Sequence, residues 1–215
     1  MFFSNLCKIL IRIVGILGAG LSVSLLLAIH YNEPIIPFIE TIIVCICLAV
    51  LFTIIIHRSN PQEVTKRESF FIVTFSWVFI ATIGALPYIF NHSFSIIDAL
   101  FESTSGFSTT GASILSDIEA LPKSILFWRS LTHWIGGIGI IVIVIIIMPS
   151  LKIGGNNLFS VESSVGEKIL QKISSVGKRL LLIYLVLTAL EILFLLLGNM
   201  NLFESVCHSF GTVAT

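Results

Sequence analysis

Long apolar runs separated by short polar segments dominate the chain. A helix needs about 20 consecutive apolar residues to cross the hydrocarbon core of a bilayer. Five runs reach that length, at about 9–29, 36–56, 70–90, 125–148 and 180–200. The first follows Lys8 and Arg12, as the core of a signal peptide would. It is longer than such a core, and His30, Tyr31 and Asn32 follow where a cleavage site would need small residues, so it predicts a retained span.

Composition agrees with this pattern. Of the 215 residues 56% are hydrophobic and only 11% are charged, and the mean hydropathy is +1.05. A soluble domain carries about 25% charged residues. So few charges cannot keep a core of this size in solution, which excludes a soluble enzyme. Twelve basic residues balance twelve acidic ones, and no basic patch exists to grip phosphate, which excludes a nucleic-acid binder. The expected fold class is an all-α polytopic membrane protein. Cys7, Cys45, Cys47 and Cys207 fit no zinc or redox spacing and are read as small apolar filler.

The basic residues sort by loop. The N-terminal end holds Lys8 and Arg12. Arg58, Lys66 and Arg67 follow the second span, and Lys152, Lys168, Lys172, Lys178 and Arg179 follow the fourth. The opposite side holds Lys123 and Arg129. The positive-inside rule then places the N-terminus in the cytoplasm. Glu33, Asp98, Glu102, Asp117, Glu119 and Glu204 fall mostly on the outer side. They form either an acidic vestibule that concentrates cations or ordinary solvated loop charges.

The outer segment 91–124 is not an ordinary polar loop. Phe94 to Glu102 is apolar enough for a short helix that cannot cross, and Ser103 to Ser113 is rich in Ser, Thr and Gly. A short helix leading into such a tract between two full spans reads as a re-entrant pore loop, because irregular backbone at membrane depth must be buried by protein or line a water-filled path. The alternative is a helix and loop lying at the interface. A repeat favours re-entry. Leu100-Phe101-Glu102-Ser103 recurs 102 residues later as Leu202-Phe203-Glu204-Ser205, each copy after a full span and before a small, hydroxyl-rich tract. Duplicated units of this kind commonly build transport pathways. In such a tract backbone carbonyls can replace the hydration shell of a cation, glycine admits the required dihedrals, and the C-terminal end of the half-helix favours positive charge. No carboxylate is needed, which suits a large monovalent ion better than a divalent one.

Phe101 through Ser113 resembles the first selectivity-filter loop of the Trk/Ktr/HKT potassium transporters, and most of all their TrkH type. Trp128-Arg129-Ser130-Leu131 with His133 to Ile140 resembles the opening of the following helix. Leu86-Pro87-Tyr88 resembles the end of the preceding one, and Cys207 to Thr215 the start of the second filter. The resemblance implies potassium uptake across the bacterial inner membrane through four helix–pore-loop–helix units in one polypeptide. It further implies a homodimer, a cytoplasmic nucleotide-binding regulatory partner of the TrkA type, surrounding lipid, and no covalent cofactor. Carried over by position, the potassium-facing backbone belongs to Thr109, Thr110 and Gly111 in the first unit and to Val213, Ala214 and Thr215 in the second. The expected organisation is an extra helix pair (1–60), a first repeat (66–150), a cytoplasmic loop (151–179) and an incomplete second repeat (180–215). One and a half units cannot ring an ion, so the segment is read as a truncated or split transporter; the competing reading is a non-transporting membrane fragment or scaffold.

Several further residues carry expectations. Gly136, Gly137 and Gly139 are read as close-packing positions rather than hinges. Glu191 is a carboxylate inside a span, and the sequence leaves open whether it is functional or merely paired. Arg129 and His133 lie one turn apart on one helix face; the two either buttress the tract through Glu102 or Glu204, or Arg129 snorkels to the interface, and snorkelling is the reading preferred here. The basic stretch Val165 to Arg179 is read as lying on the membrane surface.

Overall fold

The computed structural model describes residues 2–57, 66–92, 94–150 and 163–215. Seven helices follow one another: α1 (Phe2–His30), α2 (Ile36–His57), α3 (Lys66–Phe90), α4 (Ile96–Phe107), α5 (Lys123–Ser150), α6 (Ser163–Leu197) and α7 (Leu202–Ala214). Among the described residues there is no strand. α1, α2, α3 and α6 contain apolar spans at Ser4–His30, Ile36–Ile56, Phe70–Phe90 and Val176–Leu197, and α5 is helical over the whole of the expected fourth span. The fold is the all-α membrane architecture that the apolar pattern predicts.

The helix ends explain the boundaries. Asn32, at φ 55°, closes α1, with Asn32 N–H donating to Ile29 and Glu33 N–H to Ala28. Asn199, at φ 65°, closes α6 in the same way, with bonds to Leu196 and Leu195. A left-handed residue that pairs the last carbonyls in this manner stops a helix sharply, so α6 ends three residues short of the expected 200. At its other end α6 begins at Ser163, so 163–179, expected as loop, is the start of a long helix. Arg58, Lys152 and Gly154-Gly155 lie outside the described residues.

α1 and α2 form a hairpin, and α1 also packs on α3 and α5. The core lies between α1, α3, α4, α5 and the start of α2, around the fully buried Leu17, Leu21, Phe38, Tyr88, Phe107 and Trp128. α2 and α6 instead turn large side chains outward, among them Ile43, Ile46, Ile54, Leu182, Phe194 and Leu197. Water would not tolerate such a surface; hydrocarbon does. Hydroxyls within these helices bond their own preceding turn, as Thr41 does to the Pro37 carbonyl and Thr53 to that of Ala49, so they cross the membrane without an orphaned proton.

Candidate functional site

α4 starts at Ser95, whose hydroxyl accepts from Asp98 N–H at 3.2 Å. The N-cap and the acidic first turn both favour initiation there. Its 12 residues span about 18 Å, roughly half of what a crossing requires. The helix continues five residues beyond the expected Glu102. The small residues Ser103 to Gly106 do not break it, because they let α4 pack closely. Ser103 donates to the Ala81 carbonyl of α3 at 2.6 Å. A Cβ added at Gly106 would lie 2.3 Å from the Thr132 hydroxyl of α5, and one at Gly136 of α5 would lie 2.3 Å from the Phe107 carbonyl. Gly137 likewise faces the Tyr184 hydroxyl at close range, whereas a Cβ at Gly139 would make ordinary van der Waals contact with Trp77, so the expected close-packing role holds at Gly136 and Gly137. Trp128, fully buried, donates from Nε1 to the Gly84 carbonyl at 3.0 Å. The half-helix is thus wedged between α3 and α5.

The tract itself begins at Ser108. Thr109 N–H donates to Gly106 and Thr110 N–H to Ser105, the same closure that ends α1 and α6. Here the left-handed residue is Thr109 at φ 56°, followed by Gly111 at φ 74°. For a β-branched residue that conformation costs of order 1–3 kcal/mol and persists only where neighbours hold it. The holding group is Glu102, whose side chain is 1% exposed. Its Oε1 accepts from the Ser113 hydroxyl at 2.6 Å and from Ile114 N–H at 2.7 Å, and its Oε2 accepts from Arg129 Nε at 3.0 Å. Ser105 adds a bond to the Ala112 carbonyl at 2.6 Å. Residue 105 is therefore tied to 110 and 112, and residue 102 to 113 and 114. The chain turns at Thr109 and runs back along α4, the course of a re-entrant loop.

Arg129 does not snorkel. Its guanidinium is the cation of this ion pair, only 14% exposed, because turning outward would leave Glu102 buried and unpaired. His133, one turn on, is buried against Gly106. Glu33 also leaves the outer acidic set. It caps α5 from a distance, accepting from Lys123 N–H at 2.8 Å, Ser124 N–H at 2.9 Å and the Ser124 hydroxyl at 2.6 Å. Lys123 Nζ lies 4.4 Å from the centre of the Tyr31 ring. No local pattern marks Glu33 for this task, since its partners are 90 and 91 residues away.

α7 repeats the start of α4: Asn201 Oδ1 accepts from Glu204 N–H at 2.9 Å. Val213 and Ala214 lie in its last turn, and Thr215 caps it through N–H and hydroxyl bonds to the Gly211 carbonyl. The two tracts meet, since a Cβ at Gly111 would lie 3.8 Å from the Thr215 methyl. Trp134 of α5 stacks on Phe210 of α7 at 5.1 Å and donates to Thr188 of α6 at 3.2 Å. Glu191 of α6 is paired, accepting from the Thr212 hydroxyl. Among the described residues no three His, Cys, Asp or Glu side chains group as metal ligands. Neither tract, 108–113 or 211–215, contains an acidic residue.

Full spans alternating with two capped half-helices, one followed by a chain reversal, define an all-helical multi-pass membrane protein. The family model for TrkH, a cation transport protein, matches residues 35–215, and the chain belongs to that family. The Trk system potassium uptake protein TrkH of Escherichia coli (strain K12) is 40% identical over 163 residues, covering 74% of this chain and 34% of that protein. Its counterpart from Vibrio parahaemolyticus is 37% identical over 216 residues, covering 95% and 44%. The crystal structure of the potassium transporter TrkH from Vibrio parahaemolyticus superposes with a TM-score of 0.77 at 29% identity, over 98% of this chain and 42% of that one. The chain therefore spans about a third to under half of the length of these relatives.

Proposed function

We propose that this chain forms the N-terminal part of a potassium uptake pathway: the extra helix pair, the first pore unit and the beginning of the second. In this reading potassium passes the backbone oxygens of Thr109, Thr110 and Gly111 in the first tract, joined by those of Val213, Ala214 and Thr215 in the second. The relatives' names and lengths support this, since each is a potassium transporter more than twice as long as the matched segment. The observation that carries the reading is the anchored reversal at Thr109. Three bonds to one buried carboxylate brace a short, strained tract of Ser, Thr and Gly at the negative end of a half-helix. The N-terminus faces the cytoplasm of a bacterial inner membrane. The assembly is a homodimer that engages a TrkA-type nucleotide-binding partner, with no covalent cofactor.

Potassium-dependent growth of uptake-deficient cells tests this. The complete gene product restores growth at low potassium, and the 215-residue chain alone does not. Rescue by the isolated chain overturns the need for further units. Failure of the complete product returns the chain to the reading of a non-transporting scaffold.

A further inference from the structure

Glu191 belongs to none of the bonds that hold the first tract. It lies six residues before the end of α6 at Leu197, about 9 Å along the helix. Its neighbours Leu187, Leu190, Leu193 and Phe194 are largely exposed on the outer surface of the protein. A carboxylate in hydrocarbon company is costly unless paired. The partner comes from α7: the Thr212 hydroxyl donates to Glu191 Oε1, and Thr212 Oγ1 also lies 2.6 Å from the His208 carbonyl. Glu191 and Val213 also line one groove of about 350 Å³ with Leu187, Leu190 and Phe194.

The repeat makes this pairing informative. In the first unit the half-helix supplies its own anchor, Glu102. Aligned on their N-caps, Ser95 and Asn201, the two half-helices set Glu102 opposite His208, so α7 carries no carboxylate at that place. The carboxylate bonded to the tract end of α7 is instead Glu191, from the spanning helix. We infer that Glu191 is a positioning residue of the second filter tract. By fixing Thr212 it sets the last turn of α7, and with it Val213, Ala214 and Thr215 against Gly111 of the first tract. The inference rests on reading those residues as filter backbone.

The bond, and not the charge, does the positioning. A glutamine keeps it, because its amide can donate to Thr212 Oγ1 while that hydroxyl donates to the His208 carbonyl. The test is the potassium-over-sodium uptake ratio of the complete gene product, normalised to the amount in the membrane. E191L and T212V each lower the ratio by at least about threefold, the scale of one hydrogen bond, and the double variant is no worse than either. E191Q and T212S keep the parental ratio. An unchanged ratio in E191L and T212V overturns the inference, and so does an E191Q as poor as E191L, which would make the charge itself the active feature. A second measurement needs no transport. In a chain whose native cysteines are replaced by serine, E191C and T212C cross-link on oxidation in membranes, and absence of the link overturns the placement. Cross-linking without any uptake by the unsubstituted complete product would instead sink the transporter reading.

Discussion

Glu102 and Glu204 occupy the same place in a repeated tetrapeptide but not in the half-helices: counted from the N-caps Ser95 and Asn201, Glu204 matches Asp98. Glu102 is buried and holds a loop; Glu204 is an exposed residue in a helix's first turn. The sequence offered Arg129 two partners and an escape to the interface, and burial chose among them. A carboxylate 1% exposed cannot be left uncompensated. R129M therefore destabilises the protein by about 3–5 kcal/mol, read as loss of denaturant resistance in detergent. E102Q combined with R129M recovers part of that loss, because the stranded charge is gone. A single R129M within about 0.5 kcal/mol of the parent would mean that the ion pair does not hold the loop. Thr109 illustrates what a sequence conceals. A threonine rarely adopts a left-handed backbone, and only the bonds on either side of it place it there.

Among the elements, the half-helices and their spacing were legible because length and hydroxyl content are local signals. Their ends were not. α4 extends to Phe107 and α7 to Ala214, since small residues that read as irregular tract in one dimension serve in three as contact points for neighbouring helices. Gly136 is the sharpest case, with backbone of α4 in the place of its missing Cβ. G136A is expected to cost about 1–3 kcal/mol and to displace the tract, whereas G15A, with nothing within 4 Å, is neutral or stabilising by up to about 1 kcal/mol. Thermal unfolding of both variants in the same detergent checks the contrast. Equal behaviour would remove the close approach of α5 to the half-helix.

Across the molecule, the distribution of Lys and Arg predicts five crossings with the N-terminus inside. Reporter fusions at the N-terminus and after residues 60 and 160 should report cytoplasm, and fusions after residues 32 and 118 the opposite side. A reporter active outside at residue 60 would invert the topology. Read as a string, the chain already declares its solvent, the number and rough extent of its spans, the internal repeat and the family it resembles. All of these depend on composition or on patterns carried within a few tens of residues. Folding alone assigns the charges that are spent inside the protein: Glu33 on the start of α5, Glu102 on the first tract, Arg129 on Glu102 and Glu191 on α7. The reason is physical. Hydropathy is a property of the residue and survives in one dimension. The cost of an unpaired charge depends on what else is buried beside it, and those partners stand from about 20 to about 90 residues away along the chain.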